Sequence, residues 1–144
     1  MSTNVVDLTA AVKTTLGRCA AIKAVYDYAP SNPSGYPFAI VRSTGWDNDR
    51  VSETYYRRIH HIRILLFQEI SEVGFSSSKA ARVFREAQDE IISEFDGDIS
   101  LGGTCIMVVA ERGTEPMLIS EPVTALMMEI PIDCHIKIPR TSYP

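Results

Sequence analysis

The three histidines are the side chains best suited to acid–base chemistry or metal binding, but their spacing indicates neither. His60 and His61 are adjacent in a segment that we predict to be extended, so their side chains point to opposite faces of a sheet. They therefore cannot chelate one metal ion together, and His135 lies far away in the sequence. We interpret all three as ordinary surface or interface residues.

Other reactive arrangements are also missing from the sequence. No GxSxG motif is present for a nucleophilic serine, and SLGG at residues 100–103 is a turn that lacks the lysine and hydroxyl of a phosphate-binding loop. The three cysteines have no CxxC spacing, which favours small core residues in a reducing compartment over disulfides or zinc. Acidic pairs such as Asp96 with Asp98 are explained by loop solvation. The sequence points to shape and partners rather than to catalytic, cofactor-binding or metal-binding residues.

Residues suited to binding a protein partner occur in two stretches. Trp46 lies in residues 44–53, TGWDNDRVSE, which we predict to be an exposed loop, and it either folds back on the sheet or anchors a partner. The arginines nearby are interpreted as rim or intersubunit salt-bridge residues, and a DNA-facing role is the weaker alternative. We expect Glu129 and Asp133 to meet such arginines on a neighbouring subunit. The candidate interaction residues are Trp46, Asp47, Asp49, Arg50, Arg57, Arg58, Arg63, Glu129 and Asp133.

Two long strands must position these residues. Residues 125–138, ALMMEIPIDCHIKI, alternate between apolar and polar side chains, which predicts one buried and one wet face. Pro131 within them requires either a bulge or a position whose N–H side faces an edge, and it could bend the strand toward a neighbour. Residues 54–68 alternate poorly at first and are apolar on both faces at the end. We therefore predict that this strand starts as a projecting arm and ends between two layers, with apolar surface that a homo-oligomer would cover.

The remaining elements complete an α+β domain. Apolar residues at steps of three and four predict an N-terminal helix and a second helix at residues 79–95. The predicted fold is a mainly antiparallel sheet of about five strands with two helices packed on one face, in the order α-β-β-β-α-β-β. The predicted strands are 21–26, 38–43, 54–68, 104–111 and 125–138, and the predicted loops are 27–37, 44–53 and 112–123.

The composition fits one globular domain spanning residues 1–144. Its 45% hydrophobic and 22% charged residues are sufficient for a core. A formal charge of −4 argues against a large phosphate-binding surface. No apolar run approaches the length of a membrane span, and no signal peptide is recognisable, so we expect a protein made and kept in the cytoplasm.

In the order and size of its elements, the chain resembles the tail terminator, or tail-completion, proteins of tailed bacteriophages. The resemblance covers nearly the whole chain. The matching segments are the short N-terminal helix VVDLTAAVKTTLG, a proline-rich loop that leads to the strand PFAIV, the arginine-rich strand YYRRIHHIRILLFQE, the helix KAARVFREAQDEIISEF and a closing pair of strands.

This resemblance implies a structural virion protein of the tail or neck, assembled in the host cytoplasm, with no enzymatic activity and no cofactor. Its subunits would form a homo-oligomeric ring, a hexamer in that family, which caps the tail tube, stops its polymerisation and joins the tail to the head connector. Genomic DNA would pass through the channel without specific binding, and no membrane would be involved. The alternatives are a head–tail connector or stopper protein and, from a different class, a small α+β enzyme or ligand-binding domain.

Overall fold

The computed structural model describes most of the chain. It covers residues 5–30, 35, 37–50, 55–69, 77–103, 105–111, 113–114, 117–119 and 125–139. The elements in these residues are α1 (Val5–Gly17), β1 (Ala24–Tyr26), β2 (Phe38–Arg50), β3 (Tyr55–Glu69), α2 (Ser77–Gly97), β4 (Met107–Ala110), β5 (Met117–Ile119) and β6 (Ala125–Pro139).

The strands form one mixed, mainly antiparallel sheet. Its order is β1-β2-β3-β6-β4, and the short β5 pairs with β6 beyond this path. Only β1 and β2 are parallel. The β2–β3 and β3–β6 pairs are antiparallel and extend over 12 and 15 residue pairs. The predicted α+β class and the predicted order of helices and strands are confirmed, and β3 and β6 form the centre of the sheet.

Both helices pack on the same face of the sheet, which we call the helix face. The apolar spacing of α1 and α2 places one stripe of each helix against alternate residues of the central strands. Glu90 of α2 also accepts hydrogen bonds from the backbone N–H groups of Ala20 and Ala21, which fixes the chain just after α1. The largest fully buried side chains of this core include Leu8, Leu16, Ile62, Ile64, Leu66, Phe84, Ile91, Phe95, Ile130 and Ile132.

A second, smaller core lies on the opposite face of the sheet, which we call the open face. It consists of Phe38, Ile40, Leu65 and Phe67, with the Phe38 and Phe67 rings stacked at a centroid distance of 4.7 Å. The end of β3 is therefore buried on both faces, as its apolar side chains on both faces predicted. However, these four side chains are at most 6% exposed in the single chain, so their burial does not require a second subunit.

Two predicted loops contain strand structure instead. Residues 44–50 continue β2, because residues 45–50 all pair with β3, and residues 51–53 lie outside the described part. In the predicted loop 112–123, residues 117–119 form β5 against β6. Conversely, β1 and β4 are shorter than the strands predicted at 21–26 and 104–111. Cross-strand pairing overrode the local preference of the polar and turn-forming residues 44–50, whereas the residues of β5 are the apolar Met117–Ile119 within a polar stretch.

Pro131 lies in an unbroken strand. It pairs with Arg63, and the β3–β6 register has no shift on either side, which rules out a bulge there. The Pro131 carbonyl accepts the N–H of Glu111 on the outer side of β6, just beyond the last residue of β4. The side of Pro131 that lacks an N–H therefore faces the outer side of β6, which is the second of the two alternatives predicted from the sequence. The suggested bend toward a neighbour is wrong, because β6 stays paired with β3 to Pro139.

Candidate interaction surface

The candidate interaction residues all lie on three adjacent strands. At one end of these strands, beyond the middle of the sheet, three paired segments form what we call the arm. It consists of residues 46–50 of β2, 55–60 of β3 and 134–139 of β6. Trp46, Asp47, Asp49, Arg50, Arg57 and Arg58 lie in the arm, and Arg63, Glu129 and Asp133 lie on the same sheet nearer the core. The placement of Trp46 in a loop is therefore corrected, because it lies inside β2.

A β-bulge at Thr44 and Gly45 decides which side chains of β2 face which side. Ser43 pairs with Ile62 and Gly45 pairs with His61, so Thr44 is an extra residue in β2. Gly45 has a φ of 124°, a conformation that is disfavoured for residues with a side chain. Beyond the bulge the alternation is shifted by one residue, which directs Trp46 to the helix face and Asp47 to the open face.

On the helix face of the arm, an arginine is fixed between two aromatic rings. The Arg58 guanidinium carbon lies 5.5 Å from the Trp46 ring centroid and 5.8 Å from that of Tyr56. Its Nε donates to Asn48 Oδ1 at 2.9 Å and its Nη2 to the Tyr56 hydroxyl at 3.4 Å. Trp46 also contacts the His60 ring, yet 55% of its surface stays exposed. Trp, Tyr and Arg are the residue types that dominate binding energy at protein interfaces, and here Trp46 is exposed while Tyr56 and Arg58 are partly buried.

On the open face, His61 bridges three strands. Its Nδ1 lies 2.8 Å from Asp133 Oδ1 on β6, and its Nε2 lies 2.8 Å from Asp47 Oδ2 on β2. The hydrogen bonds to Asp133 and then Asp47 raise the pKa of His61, because each carboxylate favours the protonated ring. In the protonated state His61 donates to both aspartates and joins β2, β3 and β6.

A direct ion pair lies next to this bridge. Arg63 Nη1 is 2.7 Å from Glu129 Oε2, between β3 and β6. Glu129 and Asp133, which the sequence suggested for contacts with a neighbouring subunit, therefore have partners in their own chain. Their contact with a second subunit stays a prediction.

The end of the open face carries a row of charges across the arm. The strand registers place Asp49 beside Arg57, and Arg57 beside Lys137. The Lys137 ammonium lies 4.6 Å from the Tyr55 ring centroid, and within the described residues no ion pair engages Asp49. The row is negative at the β2 edge and positive at its centre and at the β6 edge.

The other two histidines are less exposed and have the opposite pKa shift. Burial, followed by the charge of Arg58, lowers the pKa of His60. Burial, followed by the charge of Arg57, lowers the pKa of His135. As predicted from their adjacency, His60 and His61 lie on opposite faces. Arg57 Nε and the Nδ1 atoms of His60 and His135 are buried without a hydrogen-bond partner in the described structure.

The exposed large apolar side chains lie along the two edges of the sheet. Tyr28 follows β1 and Trp46 lies on β2, both at one edge. The others are on or beside β4 and β5 at the opposite edge: Ile99, Ile106, Met107, Val109 and Met117. Each edge also leaves backbone without a strand partner among the described residues, because β1 covers only residues 38–40 of β2 and β4 covers only 132–135 of β6.

No cluster of three or more metal-ligating side chains occurs in the described residues. A depression of about 510 Å³ lies on the open face beside the bulge. It is lined by Thr44, His61, Ile62, Arg63, Glu111, Pro131 and Asp133. Neither helix of the described chain is long and apolar enough to span a membrane.

Sequence reasoning missed two residues of this surface. His61 was interpreted as an ordinary residue because its partners Asp47 and Asp133 are 14 and 72 positions away and meet only through the strand register. Lys137 is a polar residue in the alternating pattern of residues 125–138, which predicts only that it lies on the wet face of that strand. Its position at an edge, in line with Asp49, follows from the shortness of β4.

Comparison with known proteins gives a likeness in fold. No protein-family model matches the chain, and no curated protein matches it. Among solved structures, a chain of the virion of a native gene transfer agent particle has the same fold, with a TM-score of 0.55 and 15% sequence identity. The match covers 91% of this chain and 95% of the other. The two chains thus share the fold over nearly their whole lengths.

Proposed function

We propose that this protein is a structural virion component that forms a homo-oligomeric ring at the end of a phage tail tube, stops tube polymerisation and joins the tail to the head connector. The observation that carries this proposal is the shared fold with a gene transfer agent virion chain, because the match spans nearly all of both chains. The element order that resembles tail terminators supports the same role.

The surface of the molecule fits such a role. On its helix face the arm presents Trp46, which is 55% exposed, beside Arg58, and both are residue types suited to a protein contact. The modest net negative charge suits a channel through which DNA slides without adhering. We propose that the ring contacts the tube protein and the connector, acts without a catalytic residue or cofactor, and resides in the tail or neck of the virion.

The test is an assembly experiment with purified protein and the tail tube protein of the same virus. Negative-stain images should show rings of the protein alone, and its addition to growing tubes should stop elongation with one ring at one tube end. A protein that stays monomeric at high concentration and leaves tube growth unchanged would contradict the proposal. Rings that bind the portal side but not tube ends would instead identify a connector or stopper protein.

A further inference from the structure

We propose that neighbouring copies of this chain contact each other edge to edge, with the β2 edge of the arm of one copy against the β4–β6 edge of the next. This inference deepens the proposed ring and rests on it. The occupant of each edge is a second copy of this chain, and the contact is heterologous, so that every copy uses both edges once.

Charge on the open face is the first observation that supports this pairing. Asp49 and Asp47 are exposed at the β2 edge, and Lys137 is exposed at the β6 edge of the same face. Asp49 has no ion-pair partner in the described residues, whereas Glu129 is already paired with Arg63. When two copies lie side by side with their open faces aligned, Lys137 of one copy is placed toward Asp49 of the next.

Apolar exposure is the second observation, and it is independent of charge. Trp46 is 55% exposed at one edge, and Ile99 and Ile106 are 57% and 49% exposed at the other. Ile106 directly precedes β4 and donates its N–H to the His135 carbonyl, which places it beside the end of β6 where no strand covers residues 136–139. A single contact between the two edges would cover Trp46 of one copy and Ile99 and Ile106 of the next.

The unpaired backbone on both edges is the third observation. Residues 46–50 of β2 and 136–139 of β6 have no outer strand partner in the described chain. Long free edges of this kind favour association with another strand. Because the two edges are chemically different, their contact is directional and can close into a ring.

Disulfide trapping tests the contact. Within one chain β3 separates Asp49 from Lys137, so their Cα atoms lie roughly 10 Å apart, beyond the reach of about 7 Å that a disulfide tolerates. On oxidation, the Asp49→Cys/Lys137→Cys double variant should therefore give a ladder of covalent multimers that ends at the number of subunits in the ring. The single variants and the wild type, whose three cysteines are buried, should stay monomeric on a non-reducing gel.

Charge exchange gives an independent readout. Asp49→Lys or Lys137→Asp alone should raise the concentration needed for assembly by about threefold to tenfold, and the combined variant should restore it toward the wild-type value. Circular dichroism and monomer unfolding curves establish that each variant is folded.

The outcomes separate this inference from the proposed function. Rings without a disulfide ladder, and without an effect of charge exchange, would overturn the edge contact and leave the ring intact. A covalent dimer formed by either single variant would also overturn it, since it would indicate a two-fold interface. A wild-type chain that forms no ring would remove the proposed function itself.

Discussion

At the scale of single residues, His61 is the side chain whose charge state bears on three strands of the surface. It touches one aspartate on each neighbouring strand, and these hydrogen bonds raise its pKa above the ordinary value of 6.5. A raised folded-state pKa means that the protonated ring contributes stability below the unfolded pKa and that this contribution is lost as the pH rises through the folded pKa. The link between β2, β3 and β6 is therefore strongest in mildly acidic solution.

We expect His61→Gln to destabilise the chain more at about pH 5.5 than at about pH 8.5, because glutamine cannot become charged between the two aspartates. Urea unfolding of the monomer at both values measures the effect. His135→Gln is the matched control, and its effect should have the opposite pH dependence. Burial lowers the pKa of His135, so protonating this histidine at low pH destabilises the folded chain, and a glutamine at this position removes that destabilisation. An equal loss for His61→Gln at both pH values would show that the charge of the bridge is unimportant.

At the scale of elements, the Gly45 bulge determines the chemistry of β2. The residue adopts a φ of 124°, and an added Cβ there would meet no atom within 4 Å, so a substitution acts through backbone strain alone. This strand also shows where sequence reasoning failed, because Gly45, the aspartates and the asparagine favour a loop locally, whereas pairing with β3 holds them extended.

Gly45→Ala should therefore lower the free energy of unfolding by about 1–2 kcal/mol. Gly17→Ala is the control, because a Cβ there is equally uncrowded and no positive φ is required, so it should be neutral or slightly stabilising. Chemical denaturation of the two variants under the same conditions measures the difference. A Gly45→Ala protein as stable as Gly17→Ala would mean that the bulge relaxes without cost.

The helices and strands that were predicted best from the sequence are those with the clearest periodic pattern of apolar residues. The alternation of β6 and the three-to-four spacing of α2 specify one element type each, and both were predicted within a few residues of their ends. The extension of β2 and the partners of His61 depend on which strands pair and in which register. That information lies in contacts between distant residues, such as His61 with Asp133, and no local pattern carries it.

At the scale of the whole molecule, the chain has two cores separated by the sheet. The apolar residues at the end of β3 had suggested surface left for a partner, yet the stacked Phe38 and Phe67 are 0% and 1% exposed in a single chain. The oligomer proposed above consequently depends on the edges of the sheet, and the monomer should be a folded species by itself.

Phe67→Ala should lower the free energy of unfolding of the dilute monomer by about 3–5 kcal/mol, because it leaves a cavity beside Phe38. Tyr28→Ala is the aromatic control at an exposed position and should change it by less than about 0.5 kcal/mol. If Phe67→Ala abolished assembly but left monomer unfolding unchanged, the second core would be an intersubunit surface instead.

The bulge at Thr44 has a consequence for how this surface can change during evolution. Because Ser43 and Gly45 already pair with the consecutive residues Ile62 and His61, deleting Thr44 would leave a regular strand in which residues 46–50 keep their partners and their faces. Trp46 would still lie on the helix face opposite His60, and Asp47 on the open face opposite Ile59. A single codon lost at Thr44 could therefore shorten β2 by one residue while the partners of the arm and the packing of both cores stay the same.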